Sequence, residues 1–195
     1  MFNKYNFLDS DVLIFDTKND NYEVLLSYFS SYLTKEELKK IESYQILKDK
    51  ICHLISYVIP KIELGKKLNI NPKEIIIIRK DNERPYYKDY DYYYSISHSD
   101  TYVAFVLSNK NIAVDIETRQ IRDLKALEYV ASEDEIEETS DYDSKYQLWT
   151  FKEAYAKYTG KGIGRYLKDI KESNIDLLHQ TIFINHLVIT LIKEK

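Results

Sequence analysis

Two carboxylates sit one residue apart in an apolar run, Ile112-Ala113-Val114-Asp115-Ile116-Glu117. If that run is a strand, alternation turns Ile112, Val114 and Ile116 to a core and puts Asp115 and Glu117 together on the other face. Carboxylates that close repel unless a proton, a basic neighbour or a cation relieves the clash. A hard divalent cation is one solution; a strand facing water is the other, since acidic residues are mostly exposed in any fold. Further on, Glu153 and Lys157 are four residues apart, with the glutamate on the favourable N-terminal side. They form either a surface ion pair worth about 0.3 to 0.5 kcal/mol, or a metal-binding carboxylate beside a phosphate-holding ammonium, a pairing suited to phosphoryl transfer. Ser97-His98-Ser99 offers an imidazole flanked by hydroxyls. It reads as a strand-end histidine bonded to its neighbours or as a phosphate anchor, and the missing G-x-S-x-G elbow disfavours a serine hydrolase. The stretch from Gly160 to Gly164 matches neither a Walker loop nor a dinucleotide fingerprint and reads as a helix cap and turn.

The elements that must position these groups follow from period and punctuation. Asp11 to Phe15 reads as a first strand. Thr34 and Glu37 make a capping box that starts a helix. A second helical pattern runs from Ile51 to Leu64, with a kink or break expected at Pro60. Asn71-Pro72 marks a turn, Glu74 to Arg79 a buried strand, and Asp81 to Pro85 a polar loop. Tyr92 to Ser97, Thr101 to Ser108 and Ile112 to Glu117 give three strands, the last two joined through Asn109-Lys110-Asn111 as an antiparallel heart. Arg122 to Val130 reads as helical, Ser132 with Glu135 caps a short acidic helix, and Tyr142 to Thr159 is a helix stopped by Gly160. Thr181 to Ile192 reads as a closing strand, and the whole order suggests an α+β protein.

A chain of 195 residues, 44% hydrophobic and 31% charged, is long enough to bury a core in one domain or two small joined lobes. The one cysteine, Cys52, allows no internal disulfide and no thiol cluster, which fits a reducing compartment. The opening residues carry no signal-peptide pattern, and the longest apolar run, Tyr102 to Leu107, is far too short to span a membrane. A cytoplasmic protein without membrane association is therefore expected. A net charge of −4 argues against nucleic acid as the main partner, since phosphate neutralisation needs a concentrated basic surface. The 19 tyrosines are read as compositional bias.

The motifs, in their order, resemble the Sfp-type 4′-phosphopantetheinyl transferase family. The likeness rests on Arg84-Pro85-Tyr86, Ser97-His98-Ser99, Ala113-Val114-Asp115-Ile116-Glu117, and Trp149-Thr150-Phe151-Lys152-Glu153-Ala154-Tyr155-Ala156-Lys157 followed by Gly160-Lys161-Gly162, together spanning about half the chain. The resemblance implies a pseudo-dimeric α+β fold with antiparallel sheets and packed helices, its lobes falling near residues 1–110 and 111–195, with coenzyme A in the cleft between them. It implies Asp115, Glu117 and Glu153 as magnesium ligands. Lys157, His98 and Ser97 are then placed at the coenzyme A phosphates, Arg84 at the nucleotide end, and Glu153, Lys157 and His98 in catalysis. Lys48-Asp49-Lys50 is similar to the start of the family's upstream basic motif, but Cys52 stands where a second arginine is usual. Lys40 and Lys50 are then the partners available for the 3′-phosphate. The implied reaction moves 4′-phosphopantetheine from coenzyme A to a serine of an acyl or peptidyl carrier protein, by a monomeric enzyme. Two other classes stay open: a non-catalytic coenzyme A- or carrier-binding homologue, and a magnesium-dependent hydrolase or nucleotidyl transferase.

Overall fold

In the computed structural model, residues 2–80, 83–120 and 125–195 are described. The chain opens with β1 (Phe2–Phe7) and β2 (Ser10–Asp16), a hairpin whose turn residues Leu8 and Asp9 take left-handed φ values of 51° and 54°. That conformation matches strand twist and is the reason two-residue hairpin turns use it. Helix α1 (Tyr22–Phe29) starts on Asn21, whose side chain accepts from Val24 N. Helix α2 (Lys35–Glu42) starts on the Thr34–Glu37 capping box, and α3 (Leu47–Leu68) follows. A short ribbon of β3 (Ile77–Ile78) and β4 (Tyr86–Tyr87) leads to β5 (Tyr93–Ser99), β6 (Tyr102–Ser108) and β7 (Ile112–Thr118). Three helices come next, α4 (Leu127–Val130), α5 (Glu133–Glu138) and α6 (Tyr142–Thr159), the last stopped by Gly160 at φ 70°. The chain closes with β8 (Leu178–Ile184) and β9 (Leu187–Lys193).

The strands form a four-stranded sheet in the order β1-β2-β6-β5 and a three-stranded sheet in the order β7-β9-β8, both antiparallel throughout. One apolar core joins them, built from Val12 and Ile14, Ala104 and Val106, Ile112, Val114 and Ile116, and Leu187, Ile189 and Leu191. The opposite face of the first sheet, with Leu13, Val103 and Phe105, is covered by Leu54, Ile55 and Val58 of α3. The opposite face of the second sheet is covered by α6 through Phe151 and Ala154 against Ile192. The protein is thus α+β, and no helix among the described residues is long and apolar enough to cross a membrane.

Several local expectations change in this context. The break at Pro60 does not occur: α3 runs as one helix of 22 residues. Proline removes one helical N–H, but its neighbours Val58, Ile59, Lys61 and Leu64 are all buried, and the Tyr87 hydroxyl donates to the Pro60 carbonyl at 2.9 Å. The expected pairing of the strands at 101–108 and 112–117 also fails. Both edges of β6 are already taken by β2 and β5, so β7 starts the second sheet. The strand expected over Glu74 to Arg79 is reduced to Ile77–Ile78, because Pro72–Glu74 forms a 3-10 turn capped by Asn71. The single closing strand expected over Thr181 to Ile192 is a hairpin, turning at Asn185 with φ 53°. Of the helix expected over Arg122 to Val130, α4 is the described part; Arg122 to Leu124, like Asp81 and Asn82 of the expected loop, lie outside the described residues.

Candidate active site

The two sheets meet at β5 and β7, which lie side by side without a backbone ladder and are joined by serine hydroxyls. Ser95 Oγ accepts from Val114 N at 3.1 Å, and Ser99 Oγ accepts from Thr118 N at 3.1 Å. Above this seam α6 brings Glu153 to Asp115 and Glu117 of β7, so that one carboxylate oxygen from each lies within 4.8 Å of the others. The alternation expected for β7 holds: Ile112, Val114 and Ile116 enter the shared core, and the two acids face the other way. Asp115 is fully buried, and its Oδ1 takes two donors, Ser97 Oγ at 2.7 Å and Lys157 Nζ at 2.6 Å. Its Oδ2 is buried with no hydrogen-bond donor among the described residues. Glu117 accepts from Ser99 Oγ at 2.7 Å and from Trp149 Nε1 at 3.2 Å.

Burial and the adjacent charge of Asp115, only partly offset by Lys157, push Glu153 up to about 9. A carboxyl held that far above the ordinary range keeps a proton at neutral pH, and a cation among the three acids would reverse the preference. The donor set fits a hard divalent ion: all three groups are carboxylates, and one buried oxygen has no donor among the described residues. The geometry also decides what Lys157 does. Its side chain, 31% exposed, reaches across to β7 and Asp115, so it is part of an interstrand–helix cluster and not a solvated helical pair.

Beside the acids opens a cleft of about 410 Å³, lined by His53 and Ser56 of α3, Arg79, Arg84, His98, Glu153 and Lys157, among others. His98, exposed at its rim, packs edge-on against His53 with ring centroids 5.1 Å apart. Loss of hydration where the ring sits in the cleft, followed by the Lys157 charge, lowers the His98 pKa below the ordinary imidazole value and favours the neutral ring. Arg84 reaches the same cleft with part of its guanidinium committed: it donates to Asn111 Oδ1 at 2.5 Å, to Tyr94 O at 2.8 Å and to Ile112 O. Gly160 lies against the Arg84 side chain, where a Cβ would meet Arg84 Cβ at 3.8 Å.

The structure therefore brings together Asp115, Glu117, Glu153, Lys157 and Ser97, with His98 and Arg84 in the adjoining cleft. Lys40 and Lys50 are not among the cleft-lining residues. Lys50 pairs with Glu42 at 2.8 Å. Lys40 sits 5.8 Å from the Tyr44 ring, and Tyr44 stacks on His53 at 3.9 Å, so it stands at the outer end of a ring stack that leads to His98. Sequence reasoning missed four residues here. His53 and Arg79 line the cleft, the latter 4.2 Å from the Tyr57 ring; Ser99 and Trp149 hold Glu117. Ser99 and Trp149 stood in the motifs that carry the resemblance but were given no role there; the serine at every second position from Ser95 to Ser99, which alternation puts on one side of a strand, was a further signal for Ser99.

Comparison with known proteins agrees with this arrangement. A family model described as the 4′-phosphopantetheinyl transferase superfamily matches residues 111–192, and one described as the N-terminal part of 4′-phosphopantetheinyl transferase matches residues 20–110. The 4′-phosphopantetheinyl transferase gsp of Aneurinibacillus migulanus is 31% identical over 159 residues, which are 78% of this chain and 67% of that protein. A Haemophilus influenzae protein provisionally given the same enzyme name is 31% identical over 136 residues, 65% of this chain and 54% of its own. The 4′-phosphopantetheinyl transferase Sfp of Bacillus subtilis is 24% identical over 144 residues, 69% of this chain and 63% of its own. The chain thus spans between about half and two thirds of these relatives. On the two adjoining family matches and the relative from Aneurinibacillus migulanus, the chain belongs to the 4′-phosphopantetheinyl transferase superfamily.

Proposed function

We propose that this chain transfers the 4′-phosphopantetheine arm of coenzyme A to a serine of an acyl or peptidyl carrier protein, using magnesium held by Asp115, Glu117 and Glu153. The observation that carries the reading is the cluster of three carboxylates, with Asp115 buried and Glu117 and Glu153 half-buried, beside Lys157 at the edge of the cleft. We also read the chain as two lobes meeting near residue 110, which is supported by the family matches ending at 110 and starting at 111.

In this mechanism the carrier serine oxygen attacks the pantetheine-side phosphorus of the pyrophosphate. The bond to the bridging oxygen breaks, and adenosine 3′,5′-bisphosphate leaves. Asp115, Glu117 and Glu153 would hold the magnesium ion, which would supply charge neutralisation for the pyrophosphate. Lys157 spends one of its three N–H donors on Asp115 and has others for the phosphate oxygens, where it stabilises charge on the departing group. His98, neutral and at the cleft rim, donates one ring N–H to a phosphate oxygen. Glu153 accepts the serine proton, directly or through a water, once its own proton has been displaced. Arg84 orients the nucleotide end with the N–H groups that Tyr94, Ile112 and Asn111 do not occupy.

The test is mass spectrometry of apo carrier proteins after incubation with coenzyme A and magnesium. The expected result is a carrier heavier by one phosphopantetheine, with release of adenosine bisphosphate in equal amount. Coenzyme A binding without any labelled carrier would make the chain a binding homologue, and nucleotide release without labelling would make it a hydrolase.

A further inference from the structure

The seam between β5 and β7 holds more than the two sheets. The two strands run in the same direction, and Ser95 meets Val114 as Ser99 meets Thr118, four residues further along each. At Ser95 the hydroxyl serves backbone alone: it accepts from Val114 N, and the nearest acceptor is Val114 O at 3.5 Å. At Ser99 the arrangement differs. Thr118 N donates to Ser99 Oγ at 3.1 Å, which occupies a lone pair and leaves the hydroxyl proton free to point at Glu117 Oε2, 2.7 Å away. The other oxygen of Glu117 accepts from Trp149 Nε1 on α6 at 3.2 Å. Each oxygen of this carboxylate thus has a donor from a different element. Ser97 does the same for Asp115 Oδ1 at 2.7 Å, beside Lys157. A glutamate on a strand has three rotatable side-chain bonds, and donors on two sides fix which rotamer it holds before any ligand arrives.

We propose that Ser99 is a positioning residue for the reaction, orienting the Glu117 carboxylate for a divalent cation while its oxygen staples β7 to β5. The inference rests on the proposed metal site. Its physical content is that Ser99 and Ser95 make the same staple, but only Ser99 reaches a metal ligand.

Trp149 is the one tryptophan of the chain and bonds directly to Glu117, so its fluorescence reports on the seat of that carboxylate. Manganese chloride is titrated into the full chain with coenzyme A present, and Trp149 fluorescence gives the apparent Kd, with a thermal melt of each variant alongside. The expected result is that Ser99→Ala weakens manganese binding about ten- to a hundredfold, the usual cost of losing an outer-sphere partner of a metal ligand. Ser99→Thr, which keeps the hydroxyl, stays near wild type. Ser95→Ala melts earlier but keeps its manganese affinity. Wild-type affinity in Ser99→Ala, or an equal loss in Ser95→Ala, would overturn the assignment and reduce Ser99 to a staple, with the metal site intact. If wild-type protein and Asp115→Asn both fail to respond to manganese, the metal site itself is wrong and Ser99 falls with it.

Discussion

The two sheets carry different rungs beneath their covering helices. Under α3 the rung through β2, β6 and β5 is Leu13, Phe105 and Ile96, apolar in each of the three, with Lys4 opposite Leu13 on the edge strand β1. Under α6 the rung across the second sheet is Asp115, Thr190 and Thr181. The second rung is polar and partnered except at one atom: Thr190 Oγ1 lies 2.7 Å from Thr150 Oγ1 of the helix and 2.7 Å from Thr181 Oγ1, and Asp115 Oδ1 is held by Ser97 and Lys157, while Asp115 Oδ2 has no donor among the described residues. Buried polar groups are tolerable only when partnered. A rung that sets an aspartate with one undonated oxygen beside a chain of threonine hydroxyls is therefore a costly feature next to an apolar alternative that the same molecule shows to be available. The comparison teaches that the site was made by changing what a sheet presents to its helix, not by changing the helix-on-sheet plan.

The plan itself is repeated in detail. In the first half, the capping glutamate of α2, Glu37, takes the buried Lys61 ammonium of α3 at 2.8 Å, and Lys61 also donates to Tyr32 O at 2.7 Å. In the second half, the capping glutamate of α5, Glu135, takes the buried Lys152 ammonium of α6 at 2.7 and 2.8 Å, and Lys152 also donates to Leu167 O at 2.9 Å and Ile170 O at 2.5 Å. Removing one partner of such a pair leaves an unpaired buried charge and costs about 3 to 5 kcal/mol. Lys61→Met and Lys152→Met should therefore lose stability on this scale in urea unfolding, the largest effects expected here. Carrier labelling by the folded fraction separates them. Lys152→Met should lose activity, because Lys152 precedes Glu153 on the anchored turn, whereas Lys61→Met should keep it. Activity lost equally in both would mean that the locks serve general rigidity and have no special tie to the site.

Neither lock was legible in the sequence, and the reason is general. Local patterns show what a residue does within a turn or two, so Thr34, Ser132 and Gly160 could be read as caps, and they are. The second duty of Glu37 and Glu135 depends on lysines 24 and 17 residues away. A lysine in a helix is read as exposed by default, and Lys152, fully buried, contradicts that default. The acids of β7 were legible because alternation is local; that β7 turns away from β6 was not, because strand order is a contest between distant partners. Arg84 shows the same limit. Its motif brought it to the cleft, but nothing local indicated that much of its guanidinium holds the carbonyls of Tyr94 and Ile112.

The next effect in size sharpens the contrast between a buried lock and a working ammonium on one helix. Lys152 and Lys157 are both on α6, but Lys157 is partly exposed and faces the cleft. Lys157→Ala should lower kcat about a hundredfold, some 2.7 kcal/mol of transition-state stabilisation, with much less loss of stability than Lys152→Met. Single-turnover labelling with a parallel thermal melt gives both quantities. Near-normal turnover would return Lys157 to the role of a counter-ion for Asp115.

The smallest effects test whether the two halves are independent. Thr34 Oγ1 accepts from Glu37 N at 3.1 Å, and Glu37 Oε2 accepts from Thr34 N at 2.8 Å. In the second box Ser132 N donates to Glu135 Oε2 at 2.9 Å, while the Ser132 hydroxyl is drawn to the Asp134 carboxylate at 2.5 Å. Thr34→Ala and Ser132→Ala should each cost about 1 kcal/mol, the usual cost of losing a cap. The two boxes share no partner, so the double variant should cost the sum to within about 0.3 to 0.5 kcal/mol. Each capping glutamate also holds its own lock, so a strained box reaches the long helix of its half but has no direct route to the other. The contacts that join the two halves include the shared core, the serine seam, and the bonds of Arg84 to Ile112 O and of Lys193 to Leu8 O. Urea unfolding of the two single variants and the double variant measures the difference. A coupling well beyond that margin would mean that the contacts between the sheets transmit strain, and would place the site at a junction the two halves stabilise jointly.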